Sequence, residues 1–144
     1  MARQRKIETR PKVFVDTVAW IALVNRSDNL RPRAQRVMKE LRRQKVALVT
    51  TEFVLLEVAD ALCAPTIRAQ TVAYLDGLRR SDRLQIVSAS QDLLAEGWSL
   101  YSQRLDKDWG MTDCTSFVVM TREQIKQAFT SDHHFEQAGF IKLL

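Results

Sequence analysis

The sequence predicts an α/β fold in which a mainly parallel sheet is wrapped by helices. Three observations carry this. Strand-like and helix-like segments alternate along the 144 residues, no Asn-Gly hairpin turn is present, and acids stand where strands should end. In such folds ligands bind beyond the carboxyl ends of the strands, near a switch in strand order.

Residues 1–12 read as a flexible, basic extension ending near Pro11, and residues 13–144 as one domain. Lys12 to Val15 is a short apolar β run. Asp16 and Thr17 can cap a helix from Val18 to Val24. Asn25 to Leu30 is a polar turn, and Pro32 suits the first turn of the next helix. That helix, Arg33 to Gln44, carries Ala34, Val37, Met38 and Leu41 at the spacing of one buried face. Val46 to Val49 is a continuous apolar strand of the kind covered on both sides.

Thr50 or Thr51 caps a third helix that should run to about Ala64, where Pro65 ends it. A fourth follows from Thr66 to about Arg80, with Val72, Leu75 and Leu78 inward. Leu84 to Val87 is another strand. Ser90 then caps a helix reaching Leu105 through Leu93, Leu94, Trp98 and Tyr101, and Thr112 begins a helix containing Phe117, Val118 and Met120. Gln127 to Thr130 and Ile141 to Leu144 are the last strand candidates.

A 46% hydrophobic and 27% charged composition is that of a globular chain, and no apolar run approaches a membrane span. With no secretory signal pattern, the expected location is cytoplasmic. Cys63 and Cys114 form no CxxC pair and read as reduced, mostly buried thiols. The net charge of +5, concentrated before Val13 and between Arg31 and Lys45, favours a polyanionic partner.

Chemistry is expected from four acids beside apolar segments: Asp16, Glu57, Asp113 and Asp132. An unpaired buried carboxylate costs several kcal/mol or protonates, and a shared divalent cation removes that cost. Each acid also has a bland role open to it. Asp16 can be an N-cap, Asp113 can favour a helix dipole, and Asp132 can form a turn. Glu57 is the most telling, because the apolar neighbours Phe53, Val54 and Ala61 place it in buried surroundings. Asp60 and Asp108 read as surface residues that could assist.

Other chemistries lack their motifs. The four glycines form no phosphate-cradling loop. Asp16-Thr17-Val18 lacks the second acid of a haloacid-dehalogenase-type phosphatase, and a receiver domain would want a Lys where Thr130-Ser131-Asp132 stands. His133 and His134 could be ligands or bases, but beside Phe135 they read first as packing or hydrogen-bonding residues, and all-oxygen ligation points to Mg²⁺ or Mn²⁺ rather than zinc.

Four blocks in order then resemble the PIN-domain nucleases, most nearly the VapC-like toxins of toxin-antitoxin pairs. They are Val13-Phe14-Val15-Asp16-Thr17, Thr51 to Val58, Asp106 to Phe117, and Thr130 to Phe140. The resemblance covers Val13 to the C-terminus and implies a three-layer α/β/α domain with endoribonuclease activity. It implies that Asp16 and Asp113 hold the metal most directly. Glu57 and Asp132 complete the site, and Thr17, Ser116 and Thr130 support the carboxylates. It further implies an RNA substrate, an antitoxin partner and a homodimer. Metal-bound water would attack in line, leaving a 5′-phosphate and a 3′-hydroxyl. The tryptophans are expected in the core. Two other readings stay open: an RNA-binding module of this fold without catalysis, and a hydrolase of small phosphate esters.

Overall fold

The computed structural model describes residues 10–144; the proposed flexible extension lies almost wholly outside them. In chain order the elements are β1 (Lys12–Val15), α1 (Thr17–Val24), α2 (Arg31–Arg43), β2 (Ala47–Thr51), α3 (Glu52–Ala61) and α4 (Pro65–Arg80). There follow β3 (Leu84–Val87), α5 (Gln91–Gln103), α6 (Met111–Arg122), β4 (Gln127–Phe129), α7 (His133–Gln137) and β5 (Ile141–Lys142).

The five strands form one sheet in the order β3-β2-β1-β4-β5, and every pairing is parallel. The chain steps outward from β1 through β2 to β3, then crosses to the other side of β1 for β4 and β5. Crossovers between parallel strands are right-handed as a rule, so steps in opposite directions put helices on both faces, the expected α/β/α layering. The reversal falls between β1 and β4, the position where α/β folds bind ligands.

The central strand is fully covered: Val13, Phe14 and Val15 are at most 1% exposed. Phe14 meets Phe135 of α7 with ring centroids 6.3 Å apart, and Phe135 and Phe117 meet edge to face at 4.9 Å. These rings tie α6 and α7 to the sheet.

The terminators act much as the sequence suggests. Thr51 caps α3 by accepting from the Val54 N–H at 3.1 Å, and Ser90 caps α5 by accepting from the Leu93 N–H at 3.1 Å. Pro65 does not follow a helix that runs to Ala64. It sits in the first turn of α4, where its missing N–H costs nothing, and α3 has already ended at Ala61.

Several burial expectations fail, on α4 and α5 because an apolar residue lies on a helix face that nothing covers. On α4, Val72 is 53% exposed while Thr71 is buried, its hydroxyl donating to the Ile67 carbonyl at 2.9 Å. On α5, Leu93 and Gly97 face the core, whereas Leu94, Trp98 and Tyr101 point outward. Trp98 therefore departs from the expected core placement that Trp20 and Trp109 do take. Cys63 is exposed and only Cys114 is buried.

Candidate acid cluster at the carboxyl ends of the strands

Asp16 follows β1 and Thr130 follows β4, and the β1–β4 register pairs Val15 with Phe129. The two residues therefore leave adjacent strands side by side. The Thr130 hydroxyl donates to Asp16 Oδ2 at 2.9 Å, and the Asp16 N–H donates to the Phe129 carbonyl at 3.2 Å. Asp16 occupies the N-cap position of α1, yet its side chain makes no capping bond, so capping does not account for the acid. It is only 4% exposed. Burial pushes its carboxyl up to about 7, against the Thr17 amide and the Thr130 hydroxyl, with Asp113 and Glu57 adding repulsion.

Asp113 lies in the first turn of α6, where its Oδ2 accepts from the Gly110 N–H at 3.1 Å. Burial raises its pKa first, with Asp132 and Glu57 adding to the rise against the Gly110 amide and His134. Asp132 caps α7 by accepting from the His134 N–H at 2.9 Å, and its own N–H donates to Thr130 Oγ1 at 3.1 Å. Glu57 reaches the cluster from α3 but is exposed, not buried as its neighbours suggested; Val54 and Val58 turn into the core while Glu57 lies on the open face. Asp16, Asp113 and Glu57 thus share one field, and Asp132 joins it through Asp113. Asp60 is exposed on α3.

The three small hydroxyls behave differently. Only Thr130 bonds one of the acids. The Ser116 hydroxyl donates to the Thr112 carbonyl at 2.9 Å. Thr17 Oγ1 is buried with no partner.

The residue that sequence reasoning undervalued is His134. Its Nδ1 lies 3.2 Å from Asp113 Oδ2 and 3.3 Å from Asp132 Oδ1, and its Nε2 is 3.1 Å from Asp108 Oδ1 without an aligned hydrogen bond. Burial of the ring opposes its charged form, but Asp132, Asp113 and Asp108 together raise its pKa. The signal in the sequence was its place two residues after Asp132, inside the first turn of the helix that Asp132 opens. A cleft of about 700 Å³ lies elsewhere: Met38, Leu41, Tyr74, Leu78 and Arg83 line it near the opposite strand ends.

A buried acid with a raised pKa, the carboxylates of Asp113 and Glu57 in its field, Asp132 beyond Asp113, and a buried hydroxyl with no partner suit a hard divalent cation bound through oxygen. The PIN domain family model matches residues 13–141. The chain belongs to the PIN-domain family. Among curated relatives it is similar to the 23S rRNA-specific endonuclease VapC20 of Mycobacterium tuberculosis, with 28% identity over 131 residues covering 91% of this chain and 97% of that protein. Among solved structures, M. tuberculosis VapC20, described as a sarcin-ricin loop cleaving toxin, superposes with a TM-score of 0.78 at 28% identity, covering 90% of this chain and 96% of that one. The Rickettsia felis VapBC2 complex bound to promoter DNA gives a TM-score of 0.67 at 15% identity over 91% of this chain and 96% of that one. Neisseria gonorrhoeae FitAcB gives 0.64 at 13% over 90% and 95%. These last two speak to the PIN fold alone. No helix among the described residues is long and apolar enough to cross a membrane.

Proposed function

We propose that this PIN-domain chain is an endoribonuclease that hydrolyses RNA phosphodiester bonds with Mg²⁺ or Mn²⁺, and that it is the toxin of a toxin-antitoxin pair. The observation that carries the reading is the buried Asp16 carboxylate at the strand-order switch, unspent on capping, with Asp113 and Glu57 in its field and Asp132 in that of Asp113. The similarity to an rRNA-specific endonuclease over nearly the full length of both chains supports RNA as the substrate.

Asp16 and Asp113 would hold the cation, with Glu57 and Asp132 completing the shell. A cation held there would lower the pKa of water and would offset the negative charge that develops on the phosphate. This chain's residues do the rest. Thr130 fixes the Asp16 carboxylate, and the N–H groups of Gly110 and His134 orient Asp113 and Asp132. Attack by water leaves a 5′-phosphate and a 3′-hydroxyl. An antitoxin would hold the enzyme in check, in keeping with the similarity to VapC20, a sarcin-ricin loop cleaving toxin.

We also read the chain as a homodimer. Leu94, Trp98, Tyr101 and Leu105 form an exposed apolar row along α5 and just past it, with Trp98 and Tyr101 stacked at 5.4 Å. A patch of this kind marks a protein interface.

The test is RNA cleavage by purified protein with Mg²⁺, with Mn²⁺ and with EDTA, repeated for Asp16→Asn and Asp113→Asn. Metal-dependent cleavage lost in both folded variants is expected. Cleavage that survives in the variants, or RNA binding without cleavage in the wild type, would overturn the reading.

A further inference from the structure

Asp132 is followed directly by two histidines, and the geometry of the three side chains goes beyond an all-oxygen site. Among the described residues, Asp132, His133 and His134 are the group whose ligand atoms all lie within 4.8 Å of one another; no three of the four acids gather as closely. Asp132 Oδ1 stands 3.7 Å from His133 Nδ1 and 3.3 Å from His134 Nδ1, and the ring centroids are 4.4 Å apart. Neighbouring donors on an octahedral cation with bonds of about 2.1 Å stand about 3 Å apart, so the side chains need only small rotations to share one ion.

The two rings are held differently. His134 is the more enclosed ring, its side chain 16% exposed and its Nδ1 3.2 Å from Asp113 Oδ2, a contact that a cation held by both would replace, while the His133 side chain is 66% exposed and has room to turn. Asp132 is itself fixed as the cap of α7, so the carboxylate arrives oriented.

We propose that His133 and His134 join Asp132 as nitrogen ligands of the divalent cation, making this a mixed nitrogen and oxygen centre that prefers Mn²⁺ to Mg²⁺. Imidazole suits first-row transition ions, whereas Mg²⁺ favours oxygen donors and retains its waters. The inference takes from the nuclease reading only that a cation binds at this cluster.

The experiment is calorimetric titration of Mn²⁺ and Mg²⁺ into the full chain and into His133→Ala, His134→Ala and His134→Asn. Pulsed EPR on the Mn²⁺-loaded protein looks for nitrogen coupling, with RNA cleavage assayed in parallel. Nitrogen coupling is expected in the wild type. Each alanine variant should weaken Mn²⁺ binding roughly tenfold and Mg²⁺ binding by less than about twofold. Absence of nitrogen coupling overturns the inference, as does unchanged Mn²⁺ affinity in His133→Ala, an exposed position where folding is not at stake. Cleavage without nitrogen coupling leaves the nuclease standing and removes the ligands. Nitrogen-coupled Mn²⁺ in a wild type that cleaves no RNA does the reverse.

Discussion

The hydroxyl of Thr130 serves two acids at once: it donates to Asp16 Oδ2 at 2.9 Å and accepts from the Asp132 N–H at 3.1 Å. One buried side chain therefore sets the spacing between the acid of β1 and the acid that opens α7. Removing the hydroxyl leaves a buried carboxylate short of a donor, a loss of about 1–3 kcal/mol. Thr130→Val should lower RNA cleavage by roughly ten- to a hundredfold, whereas Thr130→Ser should stay within about threefold of wild type. Steady-state cleavage of one RNA by all three proteins decides it, and equal rates for the two variants would show that the hydroxyl does not act through Asp16.

Asp16→Asn separates activity from stability. The amide keeps the shape and still accepts from Thr130, but it cannot neutralise a cation or carry the buried charge. Cleavage should fall at least a hundredfold, by analogy with other preorganised electrostatic groups. In EDTA at pH 8 the variant should melt above the wild type, because the uncompensated charge is gone. A melting point below the wild type under those conditions would contradict the burial argument.

The pH dependence of the metal-free protein follows from the same carboxyl. Asp16 titrates near 7 in the fold and near 3.9 in the unfolded chain, so between those values the native state holds a proton that the unfolded state has lost. Stability should therefore fall as pH rises from about 4 to about 7, with the penalty fully present above 7. His134, raised by its acidic neighbours, acts in the same direction: its contribution is complete below its unfolded value of about 6.5 and lost as pH climbs through the folded one. Thermal melts in EDTA from pH 5 to pH 8 should decline, and saturating Mg²⁺ or Mn²⁺ should flatten or reverse the trend. A melting point that climbs with pH in EDTA would exclude this account.

What could be read from the sequence divides along physical lines. Strand β1 and its acid were legible because an apolar run closed by Asp-Thr marks a buried strand giving way to a helix start. The caps Thr51 and Ser90 were legible because their bonds are local. The outward turn of Trp98 was not, since a helix carrying Leu93, Gly97 and Leu100 on one side and Leu94, Trp98 and Tyr101 on another offers two apolar faces, and glycine hides the one that packs. Likewise, a His pair beside Phe135 reads as packing until the fold brings Asp113, 21 positions earlier in the chain, to the ring.

The exposed row on α5 gives a test of the dimer. Trp98→Arg places a charge at the middle of the stacked pair with Tyr101 and leaves the core untouched, as Trp98 is 58% exposed. Light scattering coupled to size exclusion should show the wild type at twice the chain mass and the variant at the chain mass, with unchanged circular dichroism. A wild type that runs as a monomer at concentrations on the order of tens of micromolar would sink the dimer.

Gly97 is the reason α5 approaches α6 so closely. A Cβ built there would stand 2.6 Å from Thr115 Cγ2 and 3.4 Å from the Thr115 backbone N, distances that force one helix to move. Alanine gains about 1 kcal/mol of helix propensity but overpacks a tight contact at about 1–3 kcal/mol. Gly97→Ala should therefore be destabilising by about 1 kcal/mol. Thr115→Ser removes the obstructing methyl and keeps the hydroxyl that donates to the Thr112 carbonyl at 2.8 Å. In a double-mutant cycle the pair should couple favourably, with Gly97→Ala costing less in the Thr115→Ser background than in the wild type. Equal costs in both backgrounds would mean that the backbone of α6, and not the Thr115 methyl, sets the closeness of the two helices.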